Sequence, residues 1–117
     1  MSYPTYLTPV ERDVRAEREA QDRKWGEQNH PDGTGPARVW VFTGPAEFVA
    51  QTARGECERL FEQDAGTWRD VLLEEVAEVF AEDDPVALRD ELIQVAAVAQ
   101  AWIEAIDRRG GREEATS

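Results

Sequence analysis

The chain has 117 residues, 41% of them hydrophobic and 32% charged, which suits one domain with its own core and is not a disordered composition. Its 25 acidic residues against 13 basic give a net charge of −12. Nucleic-acid backbones and anionic membranes attract proteins mainly through Lys and Arg, so DNA, RNA and membrane-surface partners are not expected, while a free nucleotide carried in with a metal is compatible with the charge.

Residues 1–8 read as an N-terminal arm. Thr8-Pro9 is a helix start, with Thr8 as cap, Pro9 in the first turn and Glu11 three residues after the cap. The first helix is expected to reach Trp25 and to stop at Gly26. Residues 26–45 are rich in breakers: Pro31-Asp32-Gly33 is a turn, and Arg38–Thr43 is at most one short extended segment. A loop of this length in a small domain is usually functional or disordered. A second helix is expected over Pro45–Asp64, with a break or bend possible at Gly55. Thr67, with Asp70 three residues on, caps a third helix over Trp68–Glu82; Asp84 and Pro85 open a fourth, which ends near Arg108 before Gly110-Gly111. The pattern predicts an all-α, four-helix bundle over residues 9–109, with a long loop between helices one and two and a flexible tail at 110–117.

Cys57, the single cysteine, permits no internal disulfide and reads as an inert buried thiol. The first residues carry no apolar core of a signal peptide, and no apolar run is long enough to cross a bilayer, so a cytoplasmic location is expected.

On a helical wheel, Trp68, Val71, Leu72, Val76 and Val79 form the apolar stripe of helix three. Glu75 falls inside that stripe, with Glu78 and Glu82 beside it, all within an arc of roughly 60°. Glu74 lies farther round. On helix four the stripe is Leu88, Leu92, Val95, Val98, Ala99, Trp102 and Ile106, with Glu91 within it and Gln94 at its border. Burying carboxylates without partners costs several kcal/mol, and like charges raise one another's pKa. A bound cation relieves both. Oxygen ligands without His or Cys suit Mg²⁺ or Mn²⁺, and a lone histidine, His30, excludes a His-based or Glu-x-x-His di-iron site. Acidic residues at i, i+3 and i+4 also make an ordinary solvated face. What argues for a site is their repetition on the apolar side of two consecutive helices joined by a tight turn.

The segment Leu72-Leu73-Glu74-Glu75-Val76-Ala77-Glu78-Val79, followed by Arg89-Asp90-Glu91-Leu92, resembles the MazG-type all-α nucleoside triphosphate pyrophosphohydrolases, whose signature is Glu-Glu-x-x-Glu on one helix and Glu-x-x-Asp on the next. The upstream stretch from Glu17 to Gly35, including Lys24-Trp25-Gly26-Glu27-Gln28-Asn29-His30-Pro31, is similar to the N-terminal part of small MazG-like proteins. The resemblance implies the all-α NTP pyrophosphatase fold, a homodimer or homotetramer, and Mg²⁺-dependent cleavage of an NTP or dNTP to the monophosphate and pyrophosphate. It implies Glu75, Glu78 and Glu91 as metal ligands. The fourth ligand position falls on Gln94, where the family has Asp; Glu82 is a candidate to compensate. An amide brings no charge, so the departure also fits a weak or inactive nucleotide-binding sensor or sink. A bland acidic bundle that binds a basic partner is the third reading.

For the hydrolase, Glu75 or Glu74 is the candidate to deprotonate the attacking water. Lys24 is the sharpest candidate for phosphate charge, with Arg38, Arg69 and Arg89 behind it. Trp25 either stacks on a base or belongs to the core; Trp40 and Trp102 read as core or interface. Gln28, Asn29 and His30 have the groups to read a base edge or ribose, and equally make an ordinary turn.

Overall fold

The helix starts follow the capping residues. Thr8 Oγ1 accepts the Glu11 N–H at 3.1 Å at the head of α1 (Pro9–Trp25), and Asp84 Oδ2 accepts the Ala87 N–H at 3.0 Å at the head of α4 (Pro85–Arg108). The head of α3 (Trp68–Ala81) is a full capping box: the Asp70 N–H reaches Thr67 Oγ1 at 3.2 Å, and the Thr67 N–H reaches Asp70 Oδ2 at 3.0 Å. α2 (Ala46–Glu62) starts after Pro45 without a side-chain cap. It runs without a break through Gly55, and Ala50, Ala53 and Cys57, on either side of Gly55, are buried. The structure, a computed structural model, describes residues 6–37 and 43–109. The start of the expected arm, Arg38 and Trp40 with most of the expected 38–43 segment, and the 110–117 tail lie outside them.

The chain is all-helical among the described residues, with α2 packed on α3, α3 on α4 and α4 on α1. The central pair, α3 and α4, carries a helix on each flank, and α1 meets neither α2 nor α3 in regular helix packing. This serial order opens a cleft between α1 and α3, floored by α4. No described helix is long and apolar enough to cross a membrane.

Two small clusters form the core. Trp68, Val98, Ala101 and Ala105 join α3 to α4, and Ala50, Ala53 and Ala77 join α2 to α3. The expected stripe of α4 is therefore displaced: Ala97, Val98, Ala101 and Ala105 are buried, while Leu92 is 50% exposed and Ile106 also faces outward. On α3 only Trp68 of the expected stripe is fully buried; Val71, Leu72, Val76 and Val79 are half-buried and Ala77 is buried. Alanines let the helix backbones approach closely, so the close-packed faces are the small-residue faces.

The 26–37 segment is stitched to the α3 head. The N–H groups of Trp68 and Arg69, two of the amides left without helical partners, donate to the carbonyls of Pro31 and Asp32 at 2.8 and 3.0 Å. Asp32 also takes the Trp102 indole N–H at 2.8 Å and pairs with Arg109 at 2.6 Å. Gly33, at φ 77°, passes so close to Thr67 that a Cβ would collide with that side chain. On α1, buried Arg18 pairs with Glu104 of α4 at 2.5 Å, fixing the far flank.

Candidate metal centre and adjoining cavity

The α3–α4 pair brings Glu75, Glu78 and Glu91 together. Each contributes one carboxylate oxygen to a group that lies within 4.8 Å of one another, and all three residues are half-buried. Glu75 and Glu78 meet because they are one turn apart on α3. Glu91 joins them because the tight Glu82–Asp84 junction folds α4 back antiparallel, with Asp84 capping it. An Mg²⁺ ion with oxygens at about 2.1 Å puts trans ligands about 4.2 Å apart. The observed spread admits such an ion with small side-chain adjustments, and three carboxylates form a hard-oxygen donor set.

The electrostatics fit the same use. The Glu75 carboxyl is pushed up to about 7, by burial first and then by the negative charges of Glu78, Glu74, Glu91 and Glu17. Burial also raises Glu91, followed by repulsion from Glu78. Glu74 is raised by burial and by Glu78, although a hydrogen bond with the Cys57 thiol works the other way. Cys57 itself, buried and facing Glu74, is held up at about 12, as an inert thiol would be. Negative charge here is in excess of its partners.

Glu75 also belongs to the wall of the α1–α3 cleft, a cavity of about 550 Å³. Five other residues expected at a site line it: Lys24, Trp25, Gln28, Glu74 and Gln94. Trp25 is 59% exposed at the mouth, which removes it from the core, and Lys24 Nζ lies 4.7 Å from its ring centroid. Gln94 borders both this cavity and a neighbouring one with Asp13, Glu17 and Arg89.

Asn29 and His30 are elsewhere. The Asn29 side chain bonds Glu27 at 2.7 Å and accepts from Arg108 at 3.0 Å. His30 is wedged edge-on between Phe61 and Trp68, with centroids 4.9 and 4.7 Å away, and burial lowers its pKa. Neither lines the cavity; both pin the loop. Arg89 pairs with Asp13 at 2.9 Å, joining α4 to α1, and Arg69 borders a separate apolar groove with Leu72, Val76 and Trp102. Glu82 is the C-cap of α3, where its Oε1 accepts the Asp84 N–H at 3.3 Å; it lies outside the three-oxygen group.

The residue that sequence reasoning missed is Arg54 of α2, which contacts Glu78 at 2.6 Å. It sits in no motif, and only the packing of α2 on α3 brings it there. No family model, curated protein or solved structure matches the chain.

Proposed function

We propose that the protein is a divalent-metal-dependent nucleotide pyrophosphohydrolase of the all-α type, cleaving an NTP or dNTP to the monophosphate and pyrophosphate. The observation that carries this reading is the sharing of Glu75 between two features: the three-carboxylate group with Glu78 and Glu91, and the cavity lined by Lys24, Trp25 and Gln28. A cavity of that volume is in the range of small-molecule sites.

Glu75, Glu78 and Glu91 would hold Mg²⁺ or Mn²⁺, which supplies charge neutralisation for the phosphates and a polarised water. Of the two candidates for accepting the water's proton, Glu75 and Glu74, Glu74 is the one outside the three-oxygen group, and it too lies on the cavity wall. Lys24 meets phosphate charge at the mouth. The exposed face of Trp25 offers a surface for a base, and Gln28 offers a donor and an acceptor to its edge.

Gln94 supports a second reading, a nucleotide-binding sensor or sink. It borders the cavity where a carboxylate ligand is expected from the resemblance, and an amide oxygen adds no charge to the ion's site. The assay that separates the two measures pyrophosphate release from NTPs and dNTPs with Mg²⁺ or Mn²⁺. Release that disappears in Glu75→Ala supports the hydrolase. Metal-dependent nucleotide binding without release, converted to turnover by Gln94→Asp, supports the sensor. No metal binding and no nucleotide binding sinks both.

The protein is proposed to act as a homo-oligomer. Leu92, Ile103 and Ile106 fall at alternating four- and three-residue steps with Ala96 and Ala99 on the outer face of α4; Leu92 and Ile103 are 50% and 58% exposed. A second copy is the occupant this reading assigns to that face, and sedimentation of the intact chain against Ile103→Glu tests it.

A further inference from the structure

α2 has no part in the reading above, yet it sends Arg54 across to α3. The Nη2–H and Nε–H of Arg54 both donate to Oε1 of Glu78, at 2.6 and 3.2 Å, and Nε lies 3.8 Å from Oε1 of Glu74. Glu78 therefore serves two neighbours: the guanidinium, and the three-oxygen group with Glu75 and Glu91. A guanidinium carries five N–H donors in a rigid fork. Glu78 occupies the side edge, made by Nε and Nη2. The end edge, with both hydrogens of Nη1 and the second of Nη2, bonds no partner among the described residues. With 53% of its side chain exposed, Arg54 presents that edge to solvent beside the carboxylates.

Resting on the reading that the carboxylates hold an ion and a polyphosphate, the geometry points to Arg54 as a phosphate-binding residue of that site. Its side edge stays on Glu78 while its end edge takes oxygens of the terminal phosphates. The end edge matches two oxygens of one phosphate group, as a point-charge ammonium does not. Sharing Glu78 holds the guanidinium one carboxylate away from the three-oxygen group, where it would meet a phosphate carried by an ion held there. The acids around the ion would otherwise face a polyanion across a short gap. Arg54 supplies positive charge on the α2 side, and Lys24 does so from α1. A brace that merely tied α2 to α3 would be indifferent to how many phosphates a ligand carries, and this difference makes the assignment testable.

The test begins with hydrolysis of the eight common NTPs and dNTPs by the intact chain, to choose the best substrate. Calorimetry with Mn²⁺ alone then precedes titration, in Mn²⁺, of that substrate's α,β-imido analogue and of its monophosphate. Arg54→Gln is expected to weaken the analogue by about tenfold or more, leave the monophosphate within about twofold, and leave Mn²⁺ binding no weaker. Arg54→Lys keeps the charge and is expected to recover only part of the loss. It serves as the sole variant if Arg54→Gln melts below the assay temperature, with the analogue again weakened more than the monophosphate. Equal losses for both ligands, or none for either, overturn the inference, and wild-type turnover then leaves the hydrolase reading standing. A wild type that neither hydrolyses nor binds any of the eight in Mn²⁺ overturns both; one that binds without hydrolysis is titrated with its tightest nucleotide in place of the analogue, and the same comparison decides.

Discussion

Asp32 and Glu75 are both carboxylates of a strongly acidic chain, set near the same pair of helices, and their surroundings differ in kind. Asp32, at the α3 head, is held below the usual range by hydrogen bonds from Trp102 and then Arg109. Glu104, nearby on α4, is also lowered: burial acts against it, but the hydrogen bonds from Arg18 and Gln100 prevail. Farther along the pair, the Glu75 carboxyl is pushed up to about 7, by burial first and then by four neighbouring acids. One end of the α3–α4 pair has met its charges with donors contributed by the chain. At the other, Arg54 reaches Glu78 and Glu74, while the carboxyls of Glu75 and Glu91 stay raised by burial and by neighbouring acids. Crowded acids of this kind cost a fold stability, and the contrast is what the proposed site rests on.

The largest effect should come from breaking the uncompensated end. Glu75→Ala and Glu91→Ala are each expected to lower kcat/KM for the best nucleotide by at least roughly 10²–10³-fold, the scale of losing one charge-stabilising group from an active site. Each should also raise the melting temperature of the metal-free protein, because each removes repulsion. Activity lost together with stability would mean that the carboxylate is holding the fold.

The pH dependence of stability sharpens the contrast. A carboxyl whose native pKa is raised keeps its proton more tightly in the folded state. Its favourable contribution is full below the unfolded value of 4.5 and is lost as pH rises towards about 7. Glu75→Gln keeps the shape without the charge. In EDTA, its melting temperature is expected to match the wild type near pH 4.5 and to exceed it by several degrees at pH 7.5, the equivalent of about 1–2 kcal/mol after screening. His30, whose lowered pKa acts in the opposite sense below 6.5, is present in both proteins and drops out of the difference. Mg²⁺ or Mn²⁺ in excess should bring the two curves together by stabilising the wild type. Curves that run parallel from pH 4.5 to 7.5 would contradict the crowding at this end.

Much of this was legible from sequence, for reasons tied to particular residues. Thr8-Pro9, Thr67 with Asp70, and Asp84-Pro85 announce helix starts because capping chemistry is local. Glu75 and Glu91 stood out because a charge within an apolar stripe is costly wherever the helix packs. What stayed hidden depends on tertiary placement. α4 is apolar round most of its circumference, so periodicity selected its bulky residues, and the helix instead buries Ala97, Ala101 and Ala105. Asn29 and His30 have base-reading groups, yet the fold uses them to fasten the loop to Arg108 and Trp68. Arg54 carried no signal, because nothing in a lone arginine on a helix tells which neighbour its reach will find.

Breaking the satisfied end should have a smaller and purely structural effect. Asp32→Ala removes the Trp102 and Arg109 bonds and leaves the indole N–H half-buried without its acceptor. A loss of about 1–2 kcal/mol is expected, a drop of several degrees in melting temperature. Because the pKa of Asp32 is lowered, its contribution is present above the unfolded value of 3.8 and fades as pH falls below it. The deficit of Asp32→Ala should therefore stay constant from pH 5 to 8, the very range in which the Glu75→Gln difference grows. Mn²⁺ affinity should be unchanged.

The smallest change tests whether the uncompensated end can still take more charge. Gln94→Asp adds a further acid at the border of the cavity, and the added charge should pull an ion in more tightly. Mn²⁺ affinity is expected to rise a few-fold, while the metal-free protein loses about 1 kcal/mol or less to added repulsion. Tighter Mn²⁺ with lower metal-free stability is the signature of a side chain facing the ion. If Gln94→Asp lowers stability and leaves Mn²⁺ affinity where it was, the amide borders the cavity without facing the ion, and three carboxylates make up the protein's whole ligand set.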